Sequence, residues 1–416
     1  MLNVGLDKAC GIDVHRDVFV ATVLWDDGTK CQGSFSTGSD GLCSLKEWLS
    51  DNCCSVVAFE STGVYWRQLY RVLESSCKVW VVNPYKVKKT PGSKTDKKDS
   101  EWLAKICLKG MIDHNSRVFG GVQEQLRDLT RYRESVVKNV SQYKNRASKI
   151  LEACCIKLGN VLSDKFGGNG RRILKDLIQG KSIDEIVKGI KSKRIKRKEE
   201  ELRKALKFNL DPVSVFMLKN CIETIEKLEY DLELVDSWIT ELTESKKEEL
   251  KIVMSIPGMG FISSSTILAE IGDVTDFPSA DHLASWCGLV PGVYQSAGKL
   301  VTGRITKQGS KHVRRMLVQI AHVISKMDNK LSEFYHRIKE KKGSKKAAVA
   351  TARKLLCIIH HLLTNKEKYQ EPTTKPKIIK TPRKKPQPTM ELEEMIQIIV
   401  KTGHTITKNN TRPGGT

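Results

Sequence analysis

Hydrophobic positions in the N-terminal part of the chain fall into short, β-branched runs separated by polar corners. Residues 10–14 and 17–25 are two such runs around His15-Arg16-Asp17, which predicts a hairpin, and residues 30–37 supply a third strand ending in Ser36-Thr37-Gly38. The spacing then changes: Leu42, Leu45, Trp48 and Leu49 share one helical face behind Ser39 or Asp40 as N-cap. Val56–Phe59 is a strand that runs into Glu60, a helix follows near 65–73, Lys78–Val82 is a strand closed by Asn83-Pro84, and 96–110 is a helix. From Val122 a helical stripe is sustained through Leu126, Leu129, Val136, Val140, Ala147 and Ile150, with a gap at Arg133; a second runs from Leu218 to Leu242. They predict two long helices, 122–157 and 215–247, paired as an antiparallel coiled coil within or between subunits and used for subunit association.

Between these helices, the run Lys188, Lys191, Lys193, Arg194, Lys196, Arg197 and Lys198 is either a solvated face or a contact for a phosphate backbone, and Gly167–Gly170 reads as a loop. After Lys251, Pro257-Gly258-Met259-Gly260 ahead of an amphipathic helix resembles a helix-hairpin-helix turn, whose N–H groups can receive a phosphate. A helix at 279–287 and a basic loop with glycines at 292, 298, 303 and 309 follow, leading into a basic helix. Lys299, Arg304, Lys307, Lys311, Arg314 and Arg315 are candidate nucleic-acid contacts, suited to holding a DNA phosphate near the hydroxyl of Ser296. Residues 372–390 are proline-rich and basic without acids, which predicts an extended disordered arm, with a short amphipathic helix at 391–401. The expected units are an α/β domain at 1–115, a helical coiled-coil and insertion region at 116–250, a mostly helical domain carrying the serine at 251–364, and a basic tail at 365–416.

The N-terminal order of three meandering strands, helix, strand, helix, strand, helix is that of a ribonuclease-H-like domain. It places Asp13 on the hairpin's first arm, Glu60 at a strand's C-terminal end, and Asp96 and Asp99 on one face of a helix's first turn. Alone, each is an ordinary turn, edge or helix-start residue; acids near a helix N-terminus are favourable by roughly 0.3–1 kcal/mol without any metal. As an ordered set they are candidate ligands for a divalent metal in phosphoryl transfer.

The balance of charge agrees with a polyanionic partner. The 416-residue chain carries 71 Lys and Arg against 48 Asp and Glu, a formal net charge of +23. Its 12 cysteines show no Cys-x-x-Cys or zinc spacing and are expected to be reduced and mostly buried in a cytoplasmic protein. No signal peptide or apolar stretch of the roughly 18–20 residues needed to span a membrane is visible.

Residues 9–340 resemble the transposases of the IS110 family, the DEDD-type recombinases of bacterial insertion sequences. The resemblance rests on Gly11-Ile12-Asp13-Val14-His15, Glu60-Ser61-Thr62-Gly63 with Tyr65-Trp66, Asn83-Pro84 and Lys94-Thr95-Asp96-Lys97-Lys98-Asp99, then on Ile256-Pro257-Gly258-Met259-Gly260, Ala284–Pro291, Ser296-Ala297-Gly298-Lys299 and Ile305–Gly309. It implies a RuvC-like N-terminal domain whose four acids, here Asp13, Glu60, Asp96 and Asp99, bind Mg²⁺ or Mn²⁺. It also implies a serine nucleophile at Ser296, a multimer (dimer or tetramer), and an element-encoded non-coding RNA that guides the choice of donor and target DNA. The family's Ser-Gly-Gly tract reads Ser296-Ala297-Gly298 here; alanine resists positive φ but leaves the hydroxyl in place. The implied protein is bacterial, acting at the nucleoid. Two other readings are a RuvC-like junction resolvase, which would use water and need only the acidic domain, and a noncatalytic nucleic-acid binder, which would not need the four acids.

Overall fold

The computed structural model describes residues 6–61, 63–83, 95–112, 116–296 and 299–371. The expected arm at 372–390, the helix at 391–401, Pro84, Lys94 and Ala297-Gly298 lie outside them.

The hairpin expected around His15-Arg16-Asp17 is present as β1 (Lys8–Val14) and β2 (Val18–Trp25). β3 (Lys30–Ser36) adds antiparallel to β2, while β4 (Val56–Glu60) and β5 (Lys78–Val82) extend the other edge in parallel, giving the order β3-β2-β1-β4-β5. The helices α1 (Ser39–Asp51), α2 (Trp66–Leu73) and α3 (Asp96–Leu108) fall where the spacing predicts them. Strand alternation sorts the faces. Cys10, Ile12, Phe19 and Phe59 point to one side and pack with Leu45 of α1 and Leu69 of α2. Ala9, Ala58 and Val82 point to the other and pack with Cys107 and Leu108 of α3. Gly11 lies on this second face, where a Cβ would sit 2.1 Å from Ser100 O and 2.3 Å from Ala104 N, so only glycine lets α3 press onto β1.

The middle of the chain is a helical hairpin with a cap. α4 (Gly121–Ala153) leads into α5 (Gly168–Ile178), α6 (Ile183–Lys188), α7 (Lys193–Lys196) and α8 (Glu199–Ala205), and α9 (Pro212–Thr243) returns. Asp211 starts α9, its Oδ1 accepting from Val213 N and Ser214 N at 3.0 Å each. α4 and α9 run antiparallel within one chain: Arg133 pairs with Asp236 (2.5 Å) and Lys144 with Glu229 (3.0 Å). The gap in the stripe at Arg133 is thus filled by an ion pair. Gly167–Gly170 is not a loop, because Gly168 opens α5; a Cβ on Gly170 would lie 2.2 Å from Lys165 O, so this glycine serves close packing.

The third unit comprises α10 (Lys247–Met254), α11 (Phe261–Ile271), α12 (Ala280–Trp286), the strands β6 (Pro291–Ser296) and β7 (Lys299–Ile305), α13 (Lys311–Ile324), α14 (Lys330–Lys342) and α15 (Ser344–Asn365). The Pro257–Gly260 turn joins α10 to α11 with Gly258 at φ +82°. Its Gly260 N–H donates to Ser263 Oγ at 2.9 Å. The expected glycine-rich loop is instead an antiparallel hairpin, with Tyr294 opposite Val301 and Ser296 opposite Lys299. Its glycines read as breakers, but Val293, Tyr294, Val301 and Thr302 have strand-forming side chains that outweigh them. α15 also departs from expectation, being long and apolar enough by composition to cross a membrane; 56% of that apolar window is buried, with Leu355, Leu356 and Ile359 in the core of this unit. All 12 cysteines are free thiols, Cys10, Cys54, Cys107, Cys221 and Cys287 buried and Cys43, Cys53 and Cys155 exposed.

Candidate active site

The parallel register of β1 and β4 sets Ile12 beside Phe59. Asp13 and Glu60 are the next residues along these two strands. Both are on the α3 face. α3 runs back along β1, so its first turn arrives at the same edge. His15 Nε2 lies 3.1 Å from Asp13 Oδ2 and 3.3 Å from Asp96 Oδ1. Asp13, His15 and Asp96 offer ligand atoms that all lie within 4.8 Å of one another. Asp99 is buried on the same turn.

Several contacts hold this edge in shape. Thr95 caps α3 by accepting from Lys98 N at 3.4 Å. Ser100 Oγ lies 2.7 Å from Thr22 Oγ1, and Gln32 Nε2 donates to Thr22 Oγ1 (2.9 Å) and Lys97 O (3.2 Å), tying α3 to β2 and β3. Burial pushes the Asp13 carboxyl above its ordinary value; His15 opposes that rise, while the charges of Asp99 and Asp96 add to it. Carboxylates that raise one another's pKa are what a divalent cation relieves, and an oxygen-rich set suits a hard cation. The donor set therefore fits a divalent metal.

Ser296 belongs to the third unit, at the end of β6. The base of its hairpin is closed by Thr306 N donating to Val290 O (3.0 Å) and Lys307 N donating to Gly288 O (3.2 Å). Gly288 (φ +67°) and Gly309 (φ +102°) interlock there: a Cβ on Gly288 would meet Gln308 O at 2.2 Å, and one on Gly309 would meet Trp286 O at 1.8 Å. Of the candidate nucleic-acid cations, Arg304, Lys307 and Lys311 are exposed around this base, and Lys299 begins β7. Arg314 and Arg315 have internal partners. Arg314 Nη1 donates to Cys287 O (2.8 Å) and Gly309 O (3.0 Å), and burial lowers its pKa. Arg315 pairs with Glu134 of α4 at 2.8 Å, beside His312 at 2.7 Å.

α4 joins the acidic unit to the hairpin's base. On one side Arg67 and Arg71 of α2 pair with Asp128 (3.0 Å) and Glu124 (2.9 Å). On the other, the fully buried Glu270 of α11 accepts from Arg127 Nε (3.1 Å), from Arg131 Nε (2.6 Å) and Nη2 (3.0 Å), and from Ser310 Oγ (3.0 Å). Burial pushes the Glu270 carboxyl up, but Arg131, Arg127 and Ser310 more than reverse this and hold it below its ordinary value. Arg127 also sits below its ordinary value, because burial and the neighbouring Arg131 cation outweigh what Glu270 returns.

Sequence reasoning passed over both Glu270 and His15. The signal for Glu270 is a carboxylate inside the otherwise apolar run Ile267–Ile271, where a buried charge requires partners. The signal for His15 is its place two residues after Asp13, on the same side of an extended chain.

Comparison with known proteins bears on both units. Residues 10–156 match the family model of DEDD transposases of IS110 type, described as "Transposase", and residues 250–336 match the one described as "Transposase IS116/IS110/IS902 family". The transposase for insertion sequence element IS1111A of Coxiella burnetii is 34% identical over 36% of this chain and 43% of its own length. That for IS1328 of Yersinia enterocolitica is 32% identical over 26% of this chain and 34% of its own. The pilin gene-inverting protein of Moraxella bovis is 23% identical over 85% of this chain and 94% of its own. The chain thus spans less than half the length of the two insertion-element transposases in their matched regions. Two stretches, one holding the acidic α/β unit and the other within the helical unit, thus match in order the models of IS110-type transposases.

Proposed function

We propose that the chain is a DNA recombinase of a bacterial insertion sequence, which cuts and rejoins strands through a phosphoserine at Ser296. Its acidic unit is RuvC-like, of the ribonuclease-H type, and Asp13, Glu60, Asp96 and Asp99 hold Mg²⁺ or Mn²⁺. The observation that carries this reading is the arrival of Asp13 and Glu60, on neighbouring strand ends, at the same edge as the first turn of α3. The relatives' names support it: transposases of insertion elements and a gene-inverting protein.

A divalent cation held there would polarise a scissile phosphate and offset charge in the transition state. The chain's own part is positional and nucleophilic. The Thr22–Ser100–Gln32 contacts hold α3, and so Asp96 and Asp99, against β1. Arg304, Lys307 and Lys311 flank the hairpin and contact strand phosphates. Ser296 Oγ attacks phosphorus and loses its proton; the bond from phosphorus to one sugar oxygen breaks, and that oxygen leaves as a hydroxyl carrying a proton. The phosphoserine keeps a phosphodiester's worth of bond energy, which a second strand's hydroxyl uses for rejoining. An element-encoded RNA guides donor and target choice, and the serine of one subunit works with the acids of another in a multimer.

The test is purified protein with its element's RNA, Mg²⁺ and end-labelled DNA. A protein–DNA adduct that survives denaturation is expected, and Asp13→Asn should abolish it. Cleavage with no adduct would point to a junction resolvase, and binding with no cleavage to a binding protein.

A further inference from the structure

The cap on the α4–α9 hairpin lies outside both family-matched stretches, between residues 156 and 250. It is a packed body: Ile190, Ile195 and Leu202 share a core with Leu151 of α4 and Leu218 of α9. Two sets stand out among its cations. Arg171, Arg172, Lys175, Lys181 and Arg203 each have a carboxylate partner. Lys191, Lys193, Arg194, Lys196 and Arg197 are exposed and take part in no ion pair among the described residues. No acid lies between Lys188 and Lys198. Ile190 and Ile195 anchor this second set to the core, so its charge is displayed on a fixed surface.

The hairpin also fixes where that surface is. α2 grips α4 at Asp128, and the cap's core reaches α4 at Leu151. At 1.5 Å per residue these points are about 35 Å apart. Duplex DNA rises 3.4 Å per base pair, so the span matches about ten base pairs, far below its persistence length of about 150. A rigid arm with a cationic end suits a second grip on a stiff duplex.

We infer that the cap surface formed by Lys191, Lys193, Arg194, Lys196 and Arg197 binds the phosphate backbone of the duplex flanking the cut site. The inference rests on the reading that DNA is cut at the acidic edge. Its test needs no cleavage: Ser296→Ala protein with its RNA is titrated with duplex carrying the element's end and a flank of about 25 or about 5 base pairs, at several salt concentrations. Replacing all five cations by Gln should weaken binding to the long-flank duplex by about tenfold or more. It should also reduce the slope of log K against log salt by about 3, the equivalent of three or four phosphates. Binding to the short-flank duplex should not change. Replacing Lys191, Lys193 and Lys196 by Arg should preserve full affinity, which separates loss of charge from loss of fold. Undiminished binding to the long flank, an equal loss on both flanks, or a loss confined to the RNA would overturn the inference. Absence of an adduct in the wild-type protein would count against the serine mechanism and leave these binding results intact.

Discussion

His15 is the side chain whose contacts say most about the acidic edge, since its Nε2 lies within hydrogen-bond distance of both Asp13 and Asp96. Partners that orient ligating carboxylates commonly contribute 10- to 100-fold in metal affinity. His15→Ala should therefore weaken Mn²⁺ binding, followed by calorimetry, by about tenfold; unchanged affinity would show that the ring orients neither carboxylate. Glu270 makes a prediction about stability. Glu270→Gln leaves Arg127 and Arg131 without their shared counter-charge, and breaking a buried pair this way costs about 3–5 kcal/mol, measurable by urea unfolding. Because the folded pKa of Glu270 is depressed, its contribution is complete above the unfolded value near 4.5 and is lost as pH falls through the folded one. The wild type should thus lose stability relative to the Gln variant on the acid side, and parallel acid limbs would contradict that.

At the level of elements, three glycines decide geometry. Gly11→Ala would drive a Cβ into Ser100 O and Ala104 N, pushing α3 and its two acids off β1. Metal affinity should fall although no ligand is changed, and Mn²⁺ titration beside the wild type checks it. Much of this was legible in the sequence. Asp13, Glu60 and the Asp96–Asp99 turn sit on elements announced by short β-branched runs and by helical spacing, signals that depend only on neighbours in the chain. The β6–β7 hairpin was not legible in the same way. Gly288 and Gly309 adopt positive φ because each backbone passes against the other's flank, a contact between residues about twenty apart that no local pattern reports. Nor could periodicity say whether the two long stripes meet within one chain. Arg133–Asp236 and Lys144–Glu229 answer that, and they interrupt the apolar pattern rather than continue it.

For the whole molecule, pairing of α4 with α9 leaves a face uncovered. Tyr230, Leu234 and Trp238 lie at successive fourth positions on α9 and are 60%, 46% and 55% exposed, with Tyr132 of α4 at 53%. A groove of about 430 Å³ between Tyr132 and Trp238 continues that face. Large apolar side chains grouped in this way mark association surfaces, so this face should join copies of the chain. Trp238→Glu should shift the mass measured by light scattering toward the monomer; a wild type that is monomeric at micromolar concentration with nucleic acid bound would contradict it. A hairpin base fixed to α4 by Glu270, and an acidic edge fixed to α4 by Arg67 and Arg71, would then be brought to their counterparts by assembly on DNA. The most direct measurement of the central claim is peptide mapping of the protein–DNA adduct by mass spectrometry, beside the Ser296→Ala variant. A nucleotide remnant on Ser296 is expected, together with a variant that binds RNA and DNA but yields neither adduct nor recombinant product. A remnant on Tyr294, or recombination at the wild-type rate by Ser296→Ala, would contradict it.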